Sequence, residues 1–495
     1  LLDYLIGWLA SARILLILLY RPEYTHQWGS KSYYRQIGQN QLTAQSSAEL
    51  VQDILEGGDV SPEIRDLILN RNAGNPLYVE ELTHSLLESG SIQKKNHQFI
   101  LNGKASALLV PDTIQGIIAA RMDRLEDNLK RTMQIASVIG RDFAFRILQT
   151  ISGLREELKA NLLNLQGLEF IYEKSLFPEL EYIFKHALIQ EVAYQSLLSK
   201  RRKEIHDKIG KAIEEIYAER LEEFYEMLAY HFDKGEVWES AVEYGVKAGA
   251  KARHAYNLQA ALAHFNRTKE ILKHHETEVS WTVRYDLFFE MSGSLLDSGQ
   301  PHYALRDSKV AVDIAHREGA SDLRVQAMFS QAQAAMFAHE NDQLETTLKE
   351  MEPLVTDNPD NLLGVVALQL ARFLIVSLDL PSALSKEKEV NDVFRRAPNS
   401  PFYAVAALFT GLSHRWRGNF KKCSEILEPL LPKLRASASP VSYLDSTVFC
   451  GLAVGEEGLY QKAIRILREG RELGIKAGER YSTAKLTNSL GWAYH

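Results

Sequence analysis

The sequence GNFKKC at residues 418–423 is followed 40 residues later by GLYQKA at 458–463. Each copy has a glycine, an aromatic residue two positions on, and a small residue three positions after that. Turn-like pairs 41, 39, 39 and 40 residues apart run through the second half of the chain, at Gly299-Gln300, Glu340-Asn341, Asp379-Leu380, Gly418-Asn419 and Gly458-Leu459. A fixed period in this range predicts stacked helix pairs, that is, an α-solenoid.

Each predicted helix pair has an apolar helix before the turn and an amphipathic helix after it, as at residues 404–416 and 460–467. Small residues such as Ala304, Gly451 and Ala463 allow the helices to approach closely. The pattern resembles the tetratricopeptide repeat, lengthened beyond its usual ~34 residues. The resemblance implies a surface that binds a protein or a peptide, and we find no catalytic or metal-ligating cluster in this half.

The composition is that of a soluble globular protein with several modules. The 495 residues are 45% hydrophobic and 24% charged, with a net charge of −7. No overall basic surplus is present to attract nucleic acid or an anionic membrane. The two cysteines, Cys423 and Cys450, lie apart in a chain with no signal-peptide pattern, which predicts a cytoplasmic protein without disulfides or zinc.

The first 20 residues are mostly apolar, but Asp3 and Arg13 interrupt them. An ionised side chain at mid-bilayer costs about 2.5–3.5 kcal/mol, so we predict a soluble segment and not a membrane span. A helix through Trp8 and a continuous apolar strand at 14–20 are predicted, because a parallel strand covered on both faces has this pattern. Arg21 would then lie at the carboxyl end of the strand, as an anion-binding residue or as a solvated loop arginine.

The helix, the apolar strand and Arg-Pro-Glu at 21–23 resemble the sensor-1 region of the signal-transduction ATPases with numerous domains, the STAND branch of the AAA+ class. Residues 73–82 resemble the G-x-P motif of that family, and residues 110–125 and 184–194 resemble the helices that follow it. The resemblance implies a mainly α chain in four segments. They are the end of an α/β AAA+ core at 1–40, a helical lid at 41–110, a winged-helix-like domain at 111–220 and tetratricopeptide-like repeats at 221–495.

The same resemblance implies nucleotide-binding roles for Arg21, Gly74, Asn75, Pro76 and His186. Pro76 would lie near the adenine, Asn75 would shape the turn, and a ring N–H of His186 would donate to the phosphates of ADP. Two plainer interpretations stay open from the residues alone. Gly-Asn-Pro also suits a helix stop followed by a new helix, and a histidine among apolar neighbours is commonly a core residue.

A phosphate-binding loop, G-x-x-x-x-G-K-[ST], is not found in this sequence: Gly103-Lys104 is followed by Ala105, and Gly210-Lys211 by Ala212. No apolar strand ends in the acidic pair that would hold magnesium. In the family both motifs precede the sensor-1 strand, so we expect a C-terminal fragment. ATP or ADP with Mg²⁺ would bind the parent protein, while the fragment alone would bind no cofactor and have no catalytic residue.

The predicted function is regulatory. The repeats would bind a protein partner, and the lid and winged helix would control a nucleotide switch in a self-associating parent ATPase, attached to an adenylate cyclase or kinase domain in bacterial relatives. Direct nucleic-acid binding is not expected, because the basic run at 200–203 lies beside acidic residues and reads as a solvated helix face. The alternatives are a non-enzymatic repeat scaffold and the regulatory part of a LuxR/MalT-like transcriptional activator.

Overall fold

The computed structural model describes residues 2–21, 23–72, 74–95, 98–102, 111–154, 157–397, 399–435 and 440–495. Pro22, Ala73 of the 73–82 match, Asn96, His97, and residues 103–110, which include Gly103-Lys104-Ala105 and Val110 of the 110–125 match, lie outside the described residues. The chain divides into two compact units. Unit 1 is Leu1–Arg131 with His186–Ser196, and unit 2 is Thr132–Lys185 with Leu197–His495. The four segments predicted from the resemblance stay a prediction.

Unit 1 is mainly helical with one small sheet. Its helices are α1 (Leu2–Trp8), α2 (Ala44–Ile54), α3 (Pro62–Asn72), α4 (Pro76–Glu88), α5 (Ile114–Asp123), the start of α6 (Asp127–Ile139) and, further along the chain, α9 (Ala187–Gln195). Its strands are β1 (Asp59–Val60), β2 (Ile92–Lys95) and β3 (Gln98–Leu101), in the order β1-β3-β2. β2 and β3 form an antiparallel hairpin, and β1 pairs with β3 in parallel.

The helix starts of unit 1 follow local chemistry. The Thr43 hydroxyl accepts a hydrogen bond from the Ser46 amide at 3.1 Å and so caps α2. Pro62 is the first residue of α3, where its missing N–H is not needed. The core between α2, α3, α4 and the sheet is apolar and buried: Val51, Leu55, Ile64, Ile68, Tyr78, Val79, Leu82, Leu86, Ile92, Phe99 and Ile117.

The predicted strand at 14–20 is wrong. The helix before it is confirmed as α1, and a 3₁₀ turn follows at Leu9–Ser11, but residues 13–20 belong to no sheet among the described residues. Leu15 is 85% exposed and Leu19 is 87% exposed. A strand is held by ladder hydrogen bonds to its neighbours, and the described strands of this chain pair with one another elsewhere.

Unit 2 begins with helices and a three-stranded antiparallel sheet. The elements after α6 are β4 (Asp142–Ala144), α7 (Phe145–Ser152), α8 (Glu157–Gly167), β5 (Ile171–Ser175) and β6 (Glu181–Phe184). The sheet order is β4-β6-β5, and β5 and β6 form a two-stranded antiparallel ribbon. Phe143, Leu148, Leu158, Leu162, Phe170 and Phe184 are buried in this part.

A continuous series of helices follows. Its first members are α10 (Ser199–Ile216), α11 (Tyr225–Gly235), α12 (Trp238–His254), α13 (Leu258–His275), α14 (Trp281–Asp297), α15 (Pro301–Arg317), α16 (Ser321–Phe337) and α17 (Asn341–Val355). The later ones are α18 (Pro359–Ala371), α19 (Leu380–Arg396), α20 (Tyr403–Trp416), α21 (Phe420–Leu427), α22 (Leu431–Arg435), α23 (Pro440–Glu456), α24 (Tyr460–Ala477) and α25 (Tyr481–Tyr494). Arg201, in the basic run at the start of α10, pairs with Glu204 at 2.8 Å, as a solvated helix face would.

The helices from α12 onward form antiparallel pairs. The first helices of successive pairs, α12, α14, α16, α18, α20, α23 and α25, also pack on one another and make one layer, here called the A-helix layer. The partner helices are called B helices. All five predicted turn pairs lie between an A helix and its B helix, so the sequence period is confirmed as a structural period. The chain is mainly α and carries a tetratricopeptide-like α-solenoid.

The A-to-B turns use one conformation whether or not the sequence has a glycine. Left-handed φ values of 74°, 58°, 52°, 77° and 81° occur at Gly299, His339, Leu378, Gly418 and Gly458. At four of these turns the next amide bonds to a carbonyl five residues back, as in a Schellman motif. After Leu378 the bond reaches Phe373 because a π turn precedes it. Backbone geometry, and not glycine alone, therefore defines the repeat.

The core of the array is apolar and close-packed. A Cβ on Gly451 would lie 2.5 Å from the Leu467 side chain, and Ala304 and Ala463 are fully buried, so their small size is confirmed as a packing requirement. Residues Pro359–Val376 have a mean hydropathy of 1.4, enough by length and composition to cross a membrane. Half of this window is buried in the protein, where α18 packs on α19 and α20. Such burial is typical of a core helix.

Candidate functional site

The Gly74-Asn75-Pro76 tripeptide forms the start of α4 in unit 1. Gly74 has φ of +79°, and a Cβ on it would lie 2.4 Å from the carbonyl oxygen of Leu42, whose amide donates to the Gly74 carbonyl at 2.8 Å. The Asn75 side-chain oxygen accepts from the amides of Leu77 and Tyr78 at 3.0 and 3.3 Å. Asn75 is therefore the cap of α4 and Pro76 its first residue, and both are exposed.

His186 lies beside the same helix, 110 residues further along the chain. Its Nε2 is 3.3 Å from a carboxylate oxygen of Glu80, one turn into α4. The ring does not cap α9, whose first turn is closed through the backbone of His186. The fold thus brings His186 and the helix that begins at Pro76 together within unit 1. A ring nitrogen bonded to Glu80 leaves Nδ1 as the atom that could donate to an anion.

Arg21 is exposed, and its carbonyl oxygen accepts a hydrogen bond from the Tyr24 amide at 3.0 Å. Among the described residues no hydrogen bond or ion pair joins its side chain to α4 or to His186. Four of the five residues named by the resemblance therefore lie on or next to α4, and Arg21 is not linked to them. Their binding of a nucleotide stays a prediction.

A buried ion-pair cluster on α4 and α5 was not predicted. Arg121 is 1% exposed; its Nε is 3.0 Å from each carboxylate oxygen of Glu88, its Nη2 also bonds Glu88, and its Nη1 bonds the fully buried Glu81 at 2.5 Å. Glu81 and Glu88 lie seven residues apart, on one face of α4. The sequence offered one signal of this cluster: an arginine inside an apolar helix stretch, together with two glutamates at this spacing. The cluster fixes α5 against the helix that begins with Gly-Asn-Pro.

The A-helix layer offers the candidate surface for a partner in unit 2. Beyond the first turn of α16, the side chains that are exposed or half-buried recur every three or four residues, at Gln326, Ser330, Gln333 and Phe337, in line with Asp322 of the first turn. This spacing places them on one face of the helix. The face is uncharged over most of its length and ends at an aromatic ring, which suits polar contacts to a polypeptide backbone with an apolar anchor.

The two ends of the array approach each other, which the sequence did not predict. The Tyr256 hydroxyl donates to the carbonyl oxygen of Arg435 at 2.8 Å, across 179 residues. A Cβ on Gly299 would lie 4.0 Å from a carboxylate oxygen of Glu479. We call the region where residues 253–301 approach residues 435–482 the seam. No local pattern signals it, because the contacts depend on the accumulated rotation of successive repeats.

No protein-family model matches the chain, and a comparison with curated proteins finds no match. Among solved structures, a STAND protein with a tetratricopeptide repeat sensor from Pyrococcus horikoshii is 10% identical with a TM-score of 0.36, over 92% of this chain and 72% of that one. A Rap protein complexed with competence and sporulation factor is 14% identical with a TM-score of 0.35, over 63% and 92%. Yeast Tom70 is 14% identical with a TM-score of 0.33, over 91% and 83%. The tetratricopeptide-like class is defined by the helix pairs and turns of the chain itself.

Proposed function

We propose that this chain is the regulatory part of a cytoplasmic STAND-type ATPase. In this proposal the A-helix layer binds a protein partner, and the segments around α4 and α9 contribute to a nucleotide switch in a self-associating protein that binds ATP or ADP with Mg²⁺. The observation that carries the proposal is the convergence of His186 and the helix beginning with Gly74-Asn75-Pro76 through Glu80, in a chain whose second half is a repeat array.

The partner-binding half of the proposal is supported by the regularity of the A-helix layer. Successive A helices present their solvent-accessible faces in the same layer, so a partner could contact several repeats at once. Many weak contacts over a long surface suit an extended polypeptide better than a small molecule.

The nucleotide half is supported by element order and by the position of His186. The order helix, strand, two helices and a two-stranded ribbon from α6 to β6 is the order of a winged helix, and α9 follows directly. A ring N–H of His186 can donate to Glu80 or, in its place, to an anion. A switch requires two states with different contacts, and exchange of Glu80 for a phosphate at His186 would provide them.

The test measures the ADP affinity and ADP retention of the protein that the natural gene encodes. His186→Ala is expected to weaken ADP binding by about tenfold, because it removes one charge-assisted hydrogen bond. Glu80→Gln is expected to strengthen ADP binding, because it removes a negative charge near the phosphates. His254→Ala, at an exposed histidine of α12, is the matched control and should change nothing.

Unchanged ADP affinity in both His186→Ala and Glu80→Gln would remove the nucleotide half of the proposal. The chain would then be a repeat scaffold whose first unit is structural.

A further inference from the structure

A small cavity opens at the seam of the array. Its volume is about 110 Å³, and its walls come from the A-to-B turns after α14 and α16 and from the connection between the B helix α24 and the A helix α25. Its lining residues are Leu296, Gly299, Pro301, Phe337, His339, Glu479, Tyr481 and Ser482. Phe337, the aromatic end of the α16 face, is one wall, so the cavity is continuous with the candidate partner surface.

Glu479 gives the cavity its polar character. The residue is 3% exposed, and its carboxylate accepts hydrogen bonds from the amides of Tyr481, Ser482 and Thr483 at 2.9, 2.8 and 3.1 Å. No ion pair in the described part of the chain joins Glu479 to a cation. Burial raises the pKa of this carboxyl, and nearby Asp445 raises it further, against the lowering effect of the amides. In the described part of the chain, the ionised carboxylate is compensated by the partial positive charge of the α25 N-terminus and by no cation.

The cations near the seam are already paired. Arg253 bonds Asp297 at 2.7 Å and Glu290 at 3.2 Å, and Lys485 lies 3.5 Å from Asp445. His339 and Tyr481 are the other titratable side chains of the cavity wall. Arg253 and Lys485 are thus held by other carboxylates, and Glu479 keeps no cation of its own among the described residues, which favours a positively charged ligand at the cavity.

Size and shape restrict which cation would fit. A ~150 Å³ apolar cavity holds benzene, six heavy atoms, so a cavity of about 110 Å³ holds about four. A lysine side chain beyond Cβ has four heavy atoms, three methylenes and the ammonium, whereas arginine has six. Leu296, Phe337 and Tyr481 offer apolar and aromatic surface to the methylenes, and Glu479 offers a carboxylate to the ammonium.

We propose that the seam cavity binds a lysine side chain of the partner polypeptide, with its methylenes between Leu296, Phe337 and Tyr481 and its ammonium at Glu479. The proposal rests on the proposed function of the A-helix layer in binding a polypeptide, and it names the chemistry of one anchor residue. Because the turns after α14 and α16 and the start of α25 line the cavity, a bound lysine would bridge the second and third repeats to the last A helix.

The test uses a probe that is independent of any peptide partner. Nα-acetyl-lysine methylamide is titrated into the whole chain labelled at leucine methyl groups, and the Leu296 signals are followed by NMR. The lysine probe is expected to shift these signals and to bind about tenfold more tightly than Nα-acetyl-norleucine methylamide, which has a similar chain without the charge. Binding should weaken as salt is raised, since the contact is in part ionic.

Two variants locate the probe. Tyr481→Ala should weaken binding of the lysine probe about fivefold, and Tyr303→Ala is the matched control, because both tyrosines are 55% exposed and Tyr303 is not in the wall. Equal binding of the lysine and norleucine probes, or no shift at Leu296 with either, would overturn the assignment. The proposed function would survive that result if longer peptides still bound the A helices, and would fail separately if only the lysine probe bound.

Discussion

Replacing Arg121 by alanine is expected to destabilise unit 1 by about 3–5 kcal/mol, because it leaves two carboxylates buried without their partner. Glu81 is fully buried, and one of its carboxylate oxygens has no hydrogen-bond partner in the described structure even with Arg121 present. Loss of the guanidinium would leave the other oxygen without its 2.5 Å contact to Nη1. The alanine side chain adds no apolar contacts that could compensate for the free energy lost with these buried ion pairs.

Hydrogen exchange of the α4 and α5 amides measures this effect locally, since a chain of two units has no single free energy of unfolding. Arg124→Ala is the control: Arg124 lies one turn away, its side chain is 36% exposed, and it is 3.8 Å from Glu88, so a change of about 0–1 kcal/mol is expected. Replacing Arg121 by methionine together with Glu81→Leu and Glu88→Gln should recover much of the protection, because it removes the buried polar groups together with the guanidinium. Equal protection in Arg121→Ala and Arg124→Ala would refute the role given to the cluster.

Acidification to pH 5 is expected to destabilise the start of the helical array by about 4 kcal/mol. His206 on α10 and His231 on α11 are each 1% exposed, and their Nδ1 atoms lie 2.9 Å apart. One ring must donate its N–H and the other must accept, so at least one ring is neutral. Burial, with Lys234 and Arg202 nearby, lowers the pKa of His206 to about 4, although Asp233 opposes this. Burial and the neighbouring ring lower the pKa of His231 to about 3.

The direction of the pH effect follows from the unfolded state, where each histidine has a pKa of about 6.5. Between that value and the folded pKa values the unfolded chain binds more protons, so stability is complete above pH 6.5 and falls as the pH falls. At pH 5 each histidine contributes a loss of about 2 kcal/mol. Hydrogen exchange of the α10 and α11 amides at pH 7.5 and pH 5, corrected for the intrinsic exchange rates, measures the loss.

The double variant His206→Gln with His231→Gln separates this pair from the carboxylates that also titrate in acid. Its loss between pH 7.5 and pH 5 should be smaller than that of the unchanged chain by about 4 kcal/mol. His316→Gln, at an exposed histidine of α15, should leave the full loss in place. A double variant as acid-sensitive as the unchanged chain would assign the effect to other groups.

The repeat array could be predicted from the sequence because its determinants are local. Each turn lies next to the helices that it joins, and the glycine and aromatic positions near residues 418 and 458 are set by contacts within one or two repeats. Even so, the residue types at the turns did not mark every turn. His339 and Leu378 take the left-handed conformation that glycine takes in the equivalent turns, and no residue type marks them. The prediction of the array rested on the regular spacing of the turns along the sequence and not on the residue types of any one turn.

The features that the sequence did not predict depend on distant partners. The apolar run at 14–20 has the composition of a buried strand, yet a strand exists only with a neighbour to pair with. The Arg121 cluster joins residues 33 and 40 positions apart, and the seam joins residues 179 positions apart. For the candidate nucleotide residues, the resemblance named Gly74, Asn75, Pro76 and His186, but only the fold shows that Glu80 stands between the helix start and the histidine.

The claim on which the account depends is that the A-helix layer binds a polypeptide. The most direct measurement is hydrogen exchange of the whole chain, with and without a peptide selected on it from a random displayed library. We predict protection concentrated in α14 and α16, loss of binding on Gln326→Arg in α16, and unchanged binding on Asp313→Arg, an exposed position of the B helix α15. The account would be contradicted if no peptide could be selected. It would also be contradicted if protection were confined to the B helices and Gln326→Arg left peptide binding unchanged.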